Sequence, residues 1–351
     1  MRWRVSSQRK ERVMGKIVCF GELLLRLGAP GRQVLLQSPV LDVHVGGAEA
    51  NVAVSLARFG HEARMVGLVA DNALGEAALG ELRRHRVDTS AVQQASGRMG
   101  LYFLTSGAIH RPSEVLYDRA DSAFARAGGG RHDWAALLDG ADWLHVSGVT
   151  PALGQQAAEG VLDAVKAARA AGVKVSFDGN FRPKLWEAWG GDAPTILFGL
   201  MAEADILFAS HRDLQVVLGL DFPQATPQER FAAGAAAAFK AFPHLRQMAA
   251  TVRVQRSVDH HALSAITALR DGALHVTPAY EVSPIVDRIG TGDAFAAGVL
   301  HGGLTGMASA DALHFGVAAA CLKHSLPGDF NLVGPADVQA FLGENSLDVK
   351  R

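Results

Sequence analysis

Two short stretches of this 351-residue chain combine glycine with side chains that could move a proton or hold an anion. Near the C-terminus, Asp287-Arg288-Ile289-Gly290-Thr291-Gly292-Asp293 runs directly into an apolar, helix-like segment. A Gly-x-Gly turn at a helix start presents backbone N–H groups to negative charge and lets a phosphate come close. A carboxylate in the first turn, Asp293, would stand beside that phosphate and could accept the proton of an attacking hydroxyl. The same residues would also suit a tight turn with Asp293 as its cap. The second stretch, Gly46-Gly47-Ala48-Glu49-Ala50-Asn51, also opens a helical pattern. Its glycine pair allows a ligand near the backbone, and Asn51, one turn in, offers a donor and an acceptor. A plain β-turn into a helix is the alternative reading there.

Behind these motifs the pattern alternates between strand and helix. Strands are expected at Ile17–Phe20, Arg64–Ala70, Trp143–Ser147, Val173–Phe177 and Ile206–Ala209, each a short apolar run. Helices are expected at Glu49–Phe59, Leu74–His85, Gln155–Ala171, Arg212–Leu218 and Arg230–Phe239, with Gly60 and Gly172 placed as stops. A β-rich stretch, Met248–Thr277, precedes a helix from about Gly292 and another at Ala310–Lys323. Such alternation implies an α/β fold, a mainly parallel sheet sandwiched by helices. Two stretches break it. In Leu23–Val45, Val34-Leu35-Leu36 and Val43-His44-Val45 read as paired strands; in Leu101–Arg119, Tyr102-Phe103-Leu104 and Val115-Leu116-Tyr117 flank a polar turn. Strands without crossover helices suggest a small antiparallel sheet set apart, placed as a lid over the strand ends.

Bulk properties exclude several classes. Hydrophobic residues make up 49%, enough for a large core, and Lys+Arg 34 against Asp+Glu 35 leaves a net charge of -1. Neither nucleic acid nor an anionic membrane is expected as a partner. No apolar run reaches the roughly 18 residues that span a bilayer. Residues 1–13 are basic and polar without a secretory apolar segment, so they read as a disordered extension, with Met14 as the natural start and a cytoplasmic location expected. Cys19 and Cys321 sit far apart in apolar stretches and read as core residues of a reduced compartment. His260-His261 is a poor metal site, because neighbouring residues in a polar loop rarely share one ion. No Gly-x-Gly-x-x-Gly follows the first strand and no Gly-x-x-x-x-Gly-Lys-Ser/Thr occurs, which argues against a Rossmann dehydrogenase and a P-loop enzyme.

Taken together, in this order and at this distance, the two glycine motifs resemble the two signatures of the ribokinase-like (PfkB) carbohydrate kinases, and the resemblance covers essentially the whole chain after Met14. Longer strings are similar to the 2-keto-3-deoxygluconate kinase subgroup: Gly140–Leu153, Asp178–Trp186, Tyr117–Ala123 and Leu322–Asn331. The resemblance implies Asp293 as catalytic base, with Gly290, Thr291 and Gly292 as the anion hole. It implies Gly46, Gly47 and Asn51 as substrate contacts, Tyr102, Tyr117 and Arg119 as lid residues, and Arg182 as the group facing a sugar acid's carboxylate. A carboxylate at a helix N-terminus tends to stay ionised, so Asp293 is expected to assist late in a loose transition state.

The resemblance also implies ATP and Mg²⁺ as cofactors and K⁺ as a further ion bound near Asp287. Apolar residues on more than one face of the lid strands, such as Leu35, Leu36, Val43 and Val45, lead us to expect a homodimer through the lid. Departures lie on the nucleotide side. Where the family has Asn-x-x-Glu this chain has Ser210-His211-Arg212-Asp213, so Ser210 and Asp213 are expected near ATP, with Asp213 holding hydrated Mg²⁺. Thr251-Val252-Arg253-Val254-Gln255-Arg256-Ser257 replaces a glycine-rich phosphate loop, which puts Thr251, Arg253 and Ser257 at the nucleotide. Three readings remain open on sequence: a 2-keto-3-deoxygluconate kinase, a kinase of the same fold for fructose, 2-keto-3-deoxygalactonate or a deoxy-inositol derivative, and a catalytically silent sugar-acid-binding member.

Overall fold

The computed structural model describes residues 14–130 and 132–343. In chain order these residues form β1 (Lys16–Phe20), β2 (Leu24–Gly28), β3 (Asp42–Gly46), α1 (Ala48–Arg58), β4 (Glu62–Ala70), α2 (Ala73–Arg84), β5 (Asp88–Ala95), β6 (Gly100–Thr105) and β7 (Glu114–Asp118). The chain continues through α3 (Ala123–Ala127), α4 (Trp134–Leu138), β8 (Trp143–Ser147), α5 (Gln155–Ala170), β9 (Lys174–Asp178), α6 (Pro183–Trp189), α7 (Ala193–Ala202), β10 (Ile206–Phe208), α8 (His211–Leu218) and α9 (Pro227–Ala241). It ends with β11 (Gln247–Gln255), β12 (His261–Leu269), β13 (Leu274–Val276), β14 (Tyr280–Val282), α10 (Thr291–Leu304), α11 (Ser309–Lys323) and α12 (Pro335–Leu342). The expected N-terminal extension lies outside the described residues.

The large sheet runs β13-β12-β11-β10-β9-β8-β1-β4-β5, with β14 paired to β12. From β5 to β11 every neighbour is parallel; β12, β13 and β14 add an antiparallel edge. The chain winds outward from β1 to β4 and β5, and in the opposite direction from β8 to β9, β10 and β11. Right-handed crossovers therefore place α1 and α2 on one face and α5 and α7 on the other. Helices α10 and α11 join α1 on its face. The central strands have almost no exposed side chain, as a sheet covered on both faces requires. Phe20 at the end of β1 packs edge-on against Trp134, centroids 5.1 Å apart, and burying side chains of this size contributes about 1.5–3 kcal/mol each.

The winding reverses between β1 and β8, and a crevice opens at the C-terminal ends of the strands there. The second sheet, β3-β2-β6-β7, grows out of that end of β1. Its β6–β7 hairpin has the expected register, Tyr102 opposite Tyr117 and Leu104 opposite Val115. Two expectations are corrected. Val34-Leu35-Leu36 is a turn, with Leu36 in the left-handed region (φ 63) and exposed; the partner of β3 is Leu24–Gly28. The sheet is also mixed, because β2 and β6 at its centre are parallel. Three consecutive apolar residues carry no strand period, so the run at 34–36 gave no reliable signal. Edge strand β5 went unread for the opposite reason: its Thr, Ser and Gln side chains reflect a half-solvated strand.

Candidate active site

The loop that opens α10 is set by backbone geometry. Gly290 is the N-cap of α10 at φ 77, and a Cβ there would strike the Asp329 carbonyl. Gly47, the N-cap of α1, sits at φ 145 with its α-carbon against the Glu22 carbonyl. Both positions exclude a side chain on conformation and on space. The two helices they open pack together, so the motifs, far apart in sequence, meet. Asn51 Nδ2 on α1 donates to Asp293 Oδ2 on α10 at 2.7 Å.

Asp293 differs from the ionised carboxylate expected of a helix N-terminus. Burial, with the charges of Glu49 and Asp329, outweighs the Asn51 bond and Arg182 and pushes its carboxyl up to about 7. Asp178, at the end of β9, is raised well above the usual range by burial and by Asp293 and Asp213. Burial also raises Glu49, although its Oε1 accepts from Ser147 N at 3.0 Å, Ser147 Oγ at 2.7 Å and Thr150 Oγ1 at 2.7 Å. Glu49 thus ties α1 to the end of β8 and adds negative potential beneath Asp293.

A cavity of about 400 Å³ lies over these groups. It is lined by Gly47, Asn51, Tyr102, Tyr117, Arg119, Arg182 and Gly290–Asp293, all expected from the sequence, together with Asp178, Asn180, Arg288 and Asp329, which were not assigned. Gly46 stands behind the wall against the Asp329 carboxylate. Arg119 is buried and paired with Glu22, Nε to Oε2 2.7 Å, and Ser122 Oγ holds the other oxygen at 2.6 Å. Arg182 is exposed at the rim; its only recorded bond runs to the Phe181 carbonyl, 3.0 Å, and it has no carboxylate partner among the described residues.

The second sheet, expected to act as a lid, is anchored by buried charge. Arg26 on β2, 2% exposed, bonds both oxygens of Asp287 (3.2 and 2.6 Å) and lies 3.1 Å from Asp329 Oδ1. Tyr102 donates to Asp329 Oδ2 at 2.9 Å. Burial works to raise Asp287, but the Arg26 bond and charge, the Ile289 N–H and Lys323 hold its carboxyl below the usual range. Burial pushes Asp329 up to about 6 against the pull of Arg26 and Tyr102. The buried Lys323 ammonium donates to the Leu326 carbonyl at 3.0 Å, and burial brings it down to about 8 despite Asp287 and Asp329. Leu24, Tyr102 and Leu104 form a small apolar cluster with Ile289 of the motif loop, so the lid rests on that loop.

Beside this lies a second cavity of about 720 Å³, between the turn after β6, the end of β11 and the loop before α10. Arg253, Ser257 and Asp287 line it; Thr251 lines neither cavity. Ser210 and Asp213 also line neither: they form the capping box of α8, Ser210 N and Oγ donating to Asp213 Oδ2 at 2.7 and 2.8 Å. Asp213 Oδ1 lies beside Gly179, next to Asp178. Arg256 is committed to Glu281, with bonds of 3.2, 3.2 and 2.7 Å, and His260 joins the same carboxylate at 2.7 Å. No His/Cys/Asp/Glu group suited to a metal occurs among the described residues.

The N-termini of α1 and α10 thus meet at the mouth of the doubly wound sheet, beneath the second sheet, and the chain belongs to the pfkB family of carbohydrate kinases, whose model matches residues 14–331. It is 33% identical over 337 residues to the 2-dehydro-3-deoxygalactonokinase of Haloferax volcanii, covering 95% of this chain and 99% of that protein. It is 29% identical over 325 residues to the 2-dehydro-3-deoxygluconokinase of Bacillus subtilis, covering 90% and 91%. The crystal structure of 2-dehydro-3-deoxygluconokinase from Thermotoga maritima matches with a TM-score of 0.88 at 38% identity, over 93% of this chain and 98% of that one. The protein is therefore a carbohydrate kinase of the ribokinase-like fold, from a family that uses ATP.

Proposed function

We propose that the protein transfers the γ-phosphoryl group of MgATP to the terminal hydroxyl of 2-keto-3-deoxygluconate, giving 2-keto-3-deoxy-6-phosphogluconate and ADP. The observation that carries this reading is the small cavity, with unpaired Arg182 at its rim and Asp293 on its floor. A guanidinium without a carboxylate partner suits an acid substrate, which it can bind in a two-pronged, charge-assisted way. Held so, the sugar acid directs its far hydroxyl toward Asp293. That carboxylate, raised to about 7, is a better proton acceptor than an ordinary aspartate. The N–H groups of Gly290–Gly292 stabilise charge on the phosphoryl oxygens. Arg253 and Ser257, which line the larger cavity, take the nucleotide; Thr251 and the capping-box pair Ser210 and Asp213 stand outside both cavities, so a direct part for them in holding ATP or hydrated Mg²⁺ is not included.

The second reading, the galactonate epimer, is favoured by the similarity to the Haloferax volcanii protein. Potassium beside Asp287 stays part of the reading, as an ion held mainly by backbone carbonyls because the Asp287 carboxylate is already paired with Arg26; activity compared in KCl and in a large-cation salt tests it. No helix of the described residues is long and apolar enough to cross a membrane, in keeping with a cytoplasmic enzyme. Exposed Val43 and Leu116 on the lid strands support its pairing with a second copy, which the mass in solution tests. The deciding experiment is ADP release with MgATP and 2-keto-3-deoxygluconate, 2-keto-3-deoxygalactonate, fructose or ribose. Turnover on the gluconate acid above the rest supports the first reading; preference for the galactonate acid selects the second. Turnover on neutral sugars discards the acid, and binding of the acid without turnover favours a silent sensor.

A further inference from the structure

The two cavities meet at a short shared wall made of Val115, Arg288 and Ile289. Of these only Arg288 carries charge. Its backbone is fixed by the motif loop: Thr291 Oγ1 donates to the Arg288 carbonyl at 3.0 Å, and Gly290 follows two residues on. Among the described residues its guanidinium makes no hydrogen bond and no ion pair. The same holds for Arg253, across the larger cavity. Other arginines of that cavity are spoken for: Arg256 by Glu281, and Arg32 by Asp259 at 3.7 Å and by the Gly107 carbonyl at 2.5 Å.

Uncompensated positive charge at the junction is also felt by its neighbours. Burial and then the charge of Arg253 lower Arg288; burial and then Arg212 lower Arg253. Neighbouring His261 is fully buried with neither ring nitrogen bonded, so it relieves nothing. Like charges kept this close without a carboxylate are costly unless an anion arrives between them. An anion at that point would lie between the nucleotide-side cavity and the anion hole.

We propose that Arg288 contacts the transferring phosphoryl group itself, reaching the γ-phosphate from the wall between donor and acceptor cavities and following it onto the acceptor. In the step it serves, the acceptor oxygen forms a bond to the γ-phosphorus and the bond to the β–γ bridging oxygen breaks. ADP leaves with that electron pair, and the acceptor's proton passes to Asp293. Arg288 neutralises charge on the moving group, the task an arginine does better than the backbone alone. This rests on the kinase reading but not on the identity of the sugar acid.

The test is Arg288→Met and Arg288→Lys, each checked for an unchanged melting temperature. Binding of MgATP and MgADP is measured by calorimetry without any sugar, so a wrong acceptor cannot obscure the result. We expect Arg288→Met to weaken MgATP at least tenfold while MgADP changes less than threefold. We expect its kcat on the best acceptor to fall at least 100-fold, with Arg288→Lys recovering part of both losses. Equal weakening of ATP and ADP would overturn the proposal, assigning Arg288 to the nucleotide in general. So would a kcat within threefold of the parent. If the methionine variant does not fold, the lysine variant decides by the same ATP-to-ADP ratio.

Discussion

The small cavity and the large one lie side by side, yet they are built on different principles. Around the small cavity most charge is committed: Arg119 to Glu22, Arg26 to Asp287 and Asp329, Asn51 to Asp293. Its carboxylates are packed closely enough to raise one another. Around the large cavity the charge is basic, and at Arg253 and Arg288 uncommitted; its walls are loops and the exposed end of β11. On the proposed function, the first is a preorganised pocket that would fix an acceptor beside Asp293. The second is an electrostatic basin that gains most when a polyanion fills it. A kinase needs both, because the acceptor must be held in one pose while the nucleotide must enter and leave.

If the contrast holds, the largest effect belongs to the small cavity. Asp293→Asn should lower kcat by roughly 100-fold or more while nucleotide binding persists, measured by turnover and calorimetry side by side; near-normal turnover would remove Asp293 from the chemistry. Next comes the lid anchor. Arg26→Met strands two carboxylates, Asp287 and Asp329, and should cost about 3–5 kcal/mol in denaturant unfolding. A cost below about 1 kcal/mol would show that the lid does not depend on this pair. Arg182→Gln should raise KM for the sugar acid about tenfold with kcat less affected, and an equal loss on fructose would refute a carboxylate contact.

The pH profile sharpens the comparison further. Asp293 is raised, so its proton-accepting form is populated above about 7 and lost as pH falls through that value. The kcat/KM should therefore drop about tenfold per unit well below pH 7. A flat profile from pH 5 to 8 would contradict the burial-driven shift. The smallest effect is expected at Arg256→Met: its guanidinium is held by Glu281 at the exposed surface, and KM for ATP should stay within about twofold.

Much of the frame was legible. Trp143–Ser147 is a strand with the bounds that its apolar run marked, the helices at Ala48 and Thr291 begin within a residue or two of their glycine signals, and the helix from Gln155 ends two residues before its stop at Gly172. Most of the residues that line the small cavity were singled out by the two glycine motifs and the resemblance they carry. Glu49 was quoted in its motif without a role because a buried carboxylate is recognised only by the partners that surround it. Ser210 and Asp213 illustrate the converse: their spacing also makes a capping box, and the box forms.

What the sequence determined by itself is local. Glycines at 47 and 290 require backbone that other residues resist, and the strand–helix alternation sets a parallel sheet with its crevice at the strand ends. What tertiary structure decided is everything that depends on long-range proximity. Arg26 and Asp287 are 261 residues apart, Asn51 and Asp293 242. The shift of Asp293 comes from burial and from neighbours on other elements, and the exposure of Arg288 to two cavities comes from the lid resting on its loop. Electrostatic environment falls off within ångströms in space and has no period along the chain, so no local pattern can encode it.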